Sequence, residues 1–187
     1  FLYAGLMVSP EGDIKVVEFN CRFGDPEAQP IMMRLQSDLL PLLQQAAAGD
    51  LQANSLQFDP RIALGVVIAA GGYPGSYDSG DAISGLDKNL EDTKVFHAGT
   101  RMENDAVVTA GGRVLCVVGL GDTAAMAQVR AYERIESIGW RGRYFRRDIG
   151  YRAVARENEA THGQNKTGPS SHTPWPGLVA AIEGSAL

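Results

Sequence analysis

The sequence predicts an α+β protein in which a strand–helix region precedes a smaller β-rich region. Before residue 50, β-prone segments are followed by two segments of helical period, and after residue 60 glycine-bounded strands surround a single helical segment. The composition changes across residues 51–60. We therefore divide the chain into residues 1–52, residues 53–156 and a disordered or linker-like tail at residues 157–187.

The first region begins with a predicted β-hairpin. Residues 1–9 are apolar and β-prone, residues 10–13 (Pro-Glu-Gly-Asp) supply turn chemistry, and residues 14–21 resume the strand pattern. The pattern indicates two adjacent antiparallel strands.

Two helices are predicted after the hairpin. The first covers residues 27–34 and the second residues 38–48, with Ser37 as the expected N-cap and Gly49 as the C-terminal stop.

The second region contains three strand candidates and one helix. The strands are predicted at residues 62–70, 107–109 and 113–120, and the helix at residues 123–137. Residues 157–176 are polar and rich in Gly, Ser, Thr and Pro, so they bury too little apolar area to offset their ordering entropy.

Charge and hydropathy argue against broad binding to nucleic acid or lipid and against a membrane span. A formal net charge of -5 argues against broad binding to nucleic acid or anionic lipid. The apolar stretch at residues 62–77 is interrupted by glycines and a proline, so no transmembrane segment is predicted. One local basic patch fits either a nucleic-acid surface or an ordinary helix end: Arg141, Arg143, Arg146 and Arg147.

The cysteines and the first residues indicate cellular context. Cys21 and Cys116 lie in apolar runs without metal-type spacing, so we expect two buried free thiols in a reducing cytoplasm. The opening FLYAGLMVSP has neither an initiator Met nor the features of a signal peptide, which predicts a fragment whose upstream portion is missing.

The run VVEFNCRFGDPE carries the candidate chemistry. Alternate side chains of a strand share a face, so Glu18, Asn20 and Arg22 are expected to point one way. The intervening residues are expected to enter the core: Val17, Phe19 and Cys21.

That trio suits phosphoryl transfer. Carboxylate and amide oxygens are ligands that Mg²⁺ prefers, and a guanidinium grips a phosphoryl oxygen with its planar fork. By spacing alone, an ordinary solvated strand face remains the alternative.

The longer string resembles the glycinamide ribonucleotide synthetase (phosphoribosylamine–glycine ligase) family of the ATP-grasp superfamily. The resemblance covers about residues 1–156 and is carried by several motifs in order: EFNCRFGDPEAQPIMMRLQSDLL, AAGGYPGSYDSGD, KVFHAGT, GGRVLCVVGLG and DIGYRAVAR. It implies the C-terminal part of an ATP-grasp domain, followed by a small β-rich barrel or sandwich-hybrid domain with one helix.

The resemblance also implies a reaction and its residues. Glu18 and Asn20 would bind the Mg²⁺ or Mn²⁺ that bridges the ATP phosphates, and Arg22 would contact the reacting phosphoryl or carboxylate group. The family joins 5-phosphoribosylamine to glycine with ATP, through glycyl phosphate, in purine (IMP) biosynthesis. Because the lysines of the ATP site and most of the phosphoribosylamine site would lie upstream, the isolated fragment is expected to be inactive.

Further residues admit two interpretations each. Asp25 and Glu27 either orient the glycine ammonium or incoming amine, or simply favour the start of a helix. Gly71, Gly72 and Tyr73 belong to a loop that either contacts substrate or forms an ordinary turn. The same alternatives apply to residues 111–113. His97 either contacts substrate or metal or, as we expect, is a packed, hydrogen-bonded residue.

Two other functions fit the sequence. The same metal strand could serve another ATP-grasp carboxylase or ligase, in which bicarbonate replaces glycine as the consumed substrate. A second alternative is a noncatalytic binding module tethered to another enzyme by the residues after 156.

Overall fold

The computed structural model describes residues 2–52 and 56–163, and the side chains of residues 161–163 are not described. The described chain is a mixed α/β structure with antiparallel sheets. Its elements in order are β1 Tyr3–Val8, β2 Ile14–Asn20, α1 Ala28–Arg34, α2 Leu40–Ala48, β3 Ile62–Ala69, β4 Thr93–His97, β5 Thr100–Glu103, β6 Ala106–Thr109, β7 Arg113–Gly121, α3 Ala124–Glu136 and α4 Tyr151–Gly163.

The central layer is a three-stranded antiparallel sheet in the order β3-β7-β4. β7 is buried along nearly its whole length because helices cover both faces of the sheet. Leu115 and Val117 belong to the larger core cluster, which includes α3, while Cys116 and Val118 belong to a smaller cluster that Met33 of α1 joins. Two-sided burial explains why β3 and β7 appear in the sequence as continuous apolar runs.

Helix α3 packs closely on the sheet because β7 carries glycines beneath it. A Cβ at Gly119 would lie 2.4 Å from the carbonyl oxygen of Ala127 and 2.7 Å from the backbone nitrogen of Ala131. Thr123 caps the helix by accepting from the backbone N–H of Met126 at 3.1 Å. The predicted helix at residues 123–137 is therefore confirmed, with bounds Ala124–Glu136.

The barrel form of the predicted C-terminal domain is wrong for the described residues. Their strands form three separate sheets, β1-β2, β3-β7-β4 and β5-β6, with open edges. A sheet of three strands covered by helices on both faces buries its apolar side chains without closing on itself. The prediction of a single helix is also wrong, since α4 follows α3.

Helix α4 extends to Gly163 and so includes residues that the sequence pattern assigned to the disordered tail. Both carboxylate oxygens of Glu157 accept from the backbone N–H of Ala124, at 2.8 and 2.9 Å. This contact places a negative charge at the N-terminus of α3 and holds α4 against it. The predictions for residues 164–187 lie outside the described residues.

The hairpin β1-β2 has the predicted order, but its apolar side chains are not buried. Val17 and Phe19 are 66% and 62% exposed, and Cys21 is also exposed. The prediction that these three enter a core is wrong for the described chain, because no layer within it covers this two-stranded sheet. Cys116 is buried as predicted, and burial raises the pKa of its thiol to about 12.

The predicted N-cap of the second helix is also wrong. Helix α2 begins at Leu40, whose backbone N–H donates to Asp38 Oδ1 at 2.9 Å. The Ser37 hydroxyl instead accepts from the backbone N–H of Gln57 at 2.6 Å, so it joins two segments of the chain. Gly49 ends the helix with a φ of 71°, as predicted.

Candidate functional site

Glu18 and Asn20 lie side by side at the end of β2. The Asn20 side-chain amide donates to Glu18 Oε1 at 3.1 Å. Gly5 of β1 pairs with Glu18, and a Cβ at this glycine would lie 3.2 Å from Glu18 Cγ. The small residue on β1 thus leaves room for the carboxylate, and a carboxylate and an amide oxygen lie side by side on one strand face.

Arg22 follows the same strand but its contact is different. Its guanidinium donates to the carbonyl oxygen of Phe23 at 3.1 Å, and the side chain is exposed. A side-chain hydrogen bond therefore joins Glu18 with Asn20, whereas the Arg22 guanidinium bonds the backbone of the next residue in the chain.

Asp25 does not cap α1. The N-cap position is Glu27, without a side-chain capping bond, and the helix begins at Ala28. The Asp25 carboxylate instead accepts from Gln29 Nε2 at 3.4 Å and lies 3.4 Å from Arg113 Nη1. The capping interpretation of Asp25 is therefore wrong, because its carboxylate turns toward the second region of the chain.

Glu27 has an unsatisfied acceptor. Its Oε2 atom is buried, and within residues 2–52 and 56–163 no hydrogen-bond donor reaches it. The carboxylate lies directly over Gly24, where an added Cβ would come 2.1 Å from that oxygen. A buried carboxylate oxygen without a donor is energetically costly, so this position favours a donor supplied by a ligand or water.

The loop after β3 contains Gly71, Gly72 and Tyr73. Gly72 has a φ of 94°, and a Cβ at Gly71 would lie 2.5 Å from the carbonyl oxygen of Gly142. These two glycines allow a tight turn and a close backbone contact. The Tyr73 ring lies against Gly112, where an added Cβ would come 2.1 Å from the ring.

The two glycine loops and His97 meet at one end of the central sheet. Because β3 and β4 run antiparallel to β7, their last residues adjoin the first residues of β7. The Ala70 N–H donates to the Gly112 carbonyl and the Gly99 N–H to the Arg113 carbonyl, both at 2.8 Å. The His97 ring lies beside this end, with Nδ1 3.0 Å from Thr100 Oγ1.

Arg113 joins this end of the central sheet to Asp25, in the segment that follows β2. Its Nη1 donates to the backbone carbonyl of Asp25 at 2.8 Å, and its Nε donates to the Tyr73 hydroxyl at 3.1 Å. The hydrogen bond to Tyr73 and the nearby Asp25 carboxylate raise the pKa of Arg113 above its ordinary value. Sequence patterns placed Arg113 in a candidate loop, but Asp25 is 88 positions away and no local signal links the two.

The arginine patch is largely neutralised by contacts within the chain. Arg143 donates to the carbonyl oxygens of Ile135 and Ile138 at the end of α3. Arg146 pairs with Asp148 at 2.8 Å, and Arg147 lies 3.6 Å from Glu136. These contacts favour the helix-end interpretation over a nucleic-acid surface.

In the part of the chain that the structure describes, no helix is long and apolar enough to cross a membrane.

Comparisons with known proteins agree with this arrangement. Residues 1–28 match the family model described as phosphoribosylglycinamide synthetase, ATP-grasp (A) domain. Residues 63–152 match the model described as phosphoribosylglycinamide synthetase, C domain. The chain is thus of the ATP-grasp class, with β1 and β2 in the segment that matches the first model and most of the central sheet in the segment that matches the second.

Similar sequences identify the family. A phosphoribosylamine–glycine ligase of Vibrio cholerae serotype O1 is 60% identical over 158 residues, which are 84% of this chain and 37% of that protein. The ligase of Pseudomonas syringae pv. tomato is 56% identical with the same coverage. The chain belongs to the phosphoribosylamine–glycine ligase family, and it spans little more than a third of the length of these relatives.

A solved structure is also similar. The crystal structure of phosphoribosylamine–glycine ligase from Thermotoga maritima matches with a TM-score of 0.65 and 34% sequence identity. The match covers 79% of this chain and 36% of that one.

Proposed function

We propose that this chain is the C-terminal part of an ATP-dependent carbon–nitrogen ligase that joins 5-phosphoribosylamine to glycine in the purine (IMP) pathway of the cytoplasm. The observation that carries the proposal is the adjacent pair Glu18 and Asn20 at the open end of β2, in a segment that matches the ATP-grasp domain of the family. The missing upstream part of the same enzyme would supply the ATP pocket, so the isolated chain is expected to be inactive.

The Glu18–Asn20 pair fits a divalent ion such as Mg²⁺ or Mn²⁺. Both residues offer a hard oxygen donor, and their side chains are already in contact at 3.1 Å. Mg²⁺ takes one or two protein oxygens and fills its remaining positions with water and nucleotide phosphates, which an open strand face permits. When bound, the ion would neutralise charge on the ATP phosphates.

The reaction requires two displacements. A glycine carboxylate oxygen attacks the γ-phosphorus of ATP, the bond to the bridging oxygen of ADP breaks, and glycyl phosphate forms. The amine nitrogen of 5-phosphoribosylamine then attacks the acyl carbon, phosphate leaves, and the nitrogen loses a proton. We assign Arg22 to the first step, in which a guanidinium offsets the repulsion between carboxylate and phosphoryl oxygens.

Asp25 and Glu27 are proposed to hold the glycine ammonium or the incoming amine. Glu27 supports this role because its buried Oε2 lacks a donor among the described residues. Asp25 keeps a half-exposed carboxylate, with contacts of only 3.4 Å to Arg113 and Gln29. Both acceptors therefore remain available to a cationic substrate group.

Tyr73, with Gly71 and Gly72, is proposed to line the substrate side of the second domain. Support comes from Arg113, which bonds both the Tyr73 hydroxyl and the Asp25 carbonyl, so the loop lies close to the acidic residues. We also propose the division at residue 52, since the two family models match on either side of it.

A chimera tests the function directly. The matched 158 residues of the Vibrio cholerae ligase are replaced by the corresponding residues of this chain. We expect glycine-dependent and 5-phosphoribosylamine-dependent release of ADP. Consumption of labelled bicarbonate instead of glycine would support the carboxylase alternative, and absence of turnover in a folded chimera would favour the noncatalytic module.

Glu18→Gln in the chimera tests the metal strand. The substitution removes a ligand charge without changing side-chain volume, so we expect kcat at limiting Mg²⁺ to fall by about tenfold or more. The matched control is Glu103→Gln, which lies on the exposed β5-β6 hairpin and pairs only locally with Arg101. Equal activities of the two variants across a Mg²⁺ titration would refute the assignment of Glu18.

A further inference from the structure

We infer that Arg113 is a positioning residue that fixes Asp25 against the second domain. It would thereby set the position of the protein carboxylates that are proposed to hold the substrate amine. The inference rests on the proposed ligase function. It adds a residue from the start of β7 to a site otherwise assigned to the end of β2 and the loop after β3.

One guanidinium spans three acceptor atoms on two loops. Nη1 lies 2.8 Å from the Asp25 carbonyl oxygen and 3.4 Å from Asp25 Oδ2, while Nε lies 3.1 Å from the Tyr73 hydroxyl. These partners are 88 and 40 positions away in sequence. A planar fork with several fixed donors makes such a bridge, whereas a single ammonium meets fewer of these acceptors.

The contacts hold Asp25 without consuming its carboxylate. The shorter bond goes to the backbone carbonyl, and the ion pair with Oδ2 is longer and half-exposed. Loss of Arg113 would therefore allow Asp25, five positions beyond the end of β2, to move, rather than only remove a positive charge near its carboxylate. A displacement of about 1 Å at a reacting group is enough to reduce a rate strongly.

The other end of the bridge is rigid. The Tyr73 ring packs against Gly112, which has no room for a Cβ, and the Gly112 carbonyl accepts from the Ala70 N–H. The backbone N–H of Gly99 bonds the Arg113 carbonyl, so Arg113 itself is held in the sheet end. The central sheet therefore serves as the fixed reference to which the Asp25 loop is attached.

The test is a double-mutant cycle in the chimera. Arg113→Met is expected to lower kcat/KM for glycine by about tenfold or more while KM for ATP stays within about twofold. Asp25→Asn alone should also lower kcat/KM for glycine. When Arg113→Met is added to Asp25→Asn, kcat/KM for glycine should fall by less than a further factor of about two, because Arg113 acts through Asp25. Arg101→Met, an arginine on the exposed β5-β6 hairpin, is the matched control and should leave both constants unchanged.

Two conservative variants separate positioning from folding. Arg113→Lys should recover part of the lost kcat/KM, since one donor still reaches the Asp25 carbonyl, and Tyr73→Phe should give a smaller loss than Arg113→Met. Thermal unfolding of each variant identifies any loss of fold, and if Arg113→Met does not fold, the cycle is run with Arg113→Lys.

Three results would overturn the inference. The first two are an unchanged kcat/KM for glycine in Arg113→Met and an unchanged kcat/KM for glycine in Asp25→Asn. The third is a double variant whose loss in kcat/KM equals the product of the two single losses, which would place Arg113 directly on a substrate. Each is distinguishable from failure of the proposed function, in which the unsubstituted chimera lacks glycine-dependent turnover or Glu18→Gln has no effect.

Discussion

The ion-pair network around Asp92 is expected to make a measurable contribution to stability. Asp92 Oδ1 accepts from Arg61 Nη1 at 2.7 Å, and Oδ2 lies 3.0 Å from Arg130 Nη1. Arg61 also forms a bidentate pair with Asp59. The Asp92 carboxylate therefore joins the residue before β3, the residue before β4 and helix α3.

Asp92→Asn perturbs this network with little change of shape. Asp92 has a φ of 57°, a conformation that Asn also tolerates, so backbone strain is not added. A buried hydrogen bond to a charged group contributes about 1.5–3 kcal/mol, and an exposed ion pair about 0–1 kcal/mol. Asp92 is 20% exposed and its two partners 31% and 30%, so we take about 1 kcal/mol for each contact and expect a loss of about 2 kcal/mol.

Urea unfolding of the 187-residue chain, followed by circular dichroism, measures this loss. The control is Asp78→Asn, since Asp78 is 88% exposed and lies 3.8 Å from Arg141; we expect a change within about 0.5 kcal/mol. Combining Asp92→Asn with Arg130→Met should reveal a coupling of at least about 0.5 kcal/mol. Equal destabilisation by the two Asp→Asn changes would refute the reasoning.

Packing and pH give two further predictions. Gly119→Ala places a Cβ 2.4 Å from a carbonyl oxygen of α3, so we expect the free energy of unfolding in urea to fall by about 1–3 kcal/mol. The control is Gly139→Ala, whose Cβ has its nearest contact at 3.2 Å and should lower the free energy of unfolding by less than about 1 kcal/mol. Similar losses would contradict the close packing. The hydrogen bond from Arg61 lowers the pKa of Asp59 in the folded chain below its ordinary value of 3.8. The ionised Asp59 therefore stabilises the fold fully above about pH 3.8, and this contribution is lost as the pH falls through the lower pKa of the folded state. The urea midpoint should therefore drop more between pH 6 and pH 3 for the unsubstituted chain than for Asp59→Asn, and parallel drops would exclude this contribution.

The strongest sequence patterns predicted the elements that pack most closely. The continuous apolar runs of β3 and β7 and the capped helix α3 were each recognisable, because two-sided burial and capping leave local marks. Strands β4 and β5 were missed because both are short and partly exposed, and β4 also pairs with β7, which lies about 20 residues further along the chain. The whole of helix α4 was missed, since the contact that holds it, from Glu157 to the start of α3, joins residues 33 positions apart.

The site shows the same division between local and distant information. Strand periodicity placed Glu18 and Asn20 on one face, and their side chains are indeed in contact. Periodicity placed Arg22 on the same face, whereas its guanidinium donates to the carbonyl oxygen of Phe23. Of the two interpretations of Asp25, the capping role, which the following proline suggested, is wrong. The contact between Asp25 and Arg113 depends on how α1 and the central sheet pack, which no short segment encodes.

The exposed hairpin β1-β2 has a consequence for ion affinity. An isolated two-stranded ribbon is marginally stable in water, yet this ribbon carries Glu18 and Asn20. A surface that covered Phe19 and Val17, which are exposed in the described chain, would also restrict the motion of the Glu18 and Asn20 side chains. If the proposed divalent ion binds Glu18 and Asn20, its binding and the covering of this ribbon are thermodynamically linked, so each would strengthen the other.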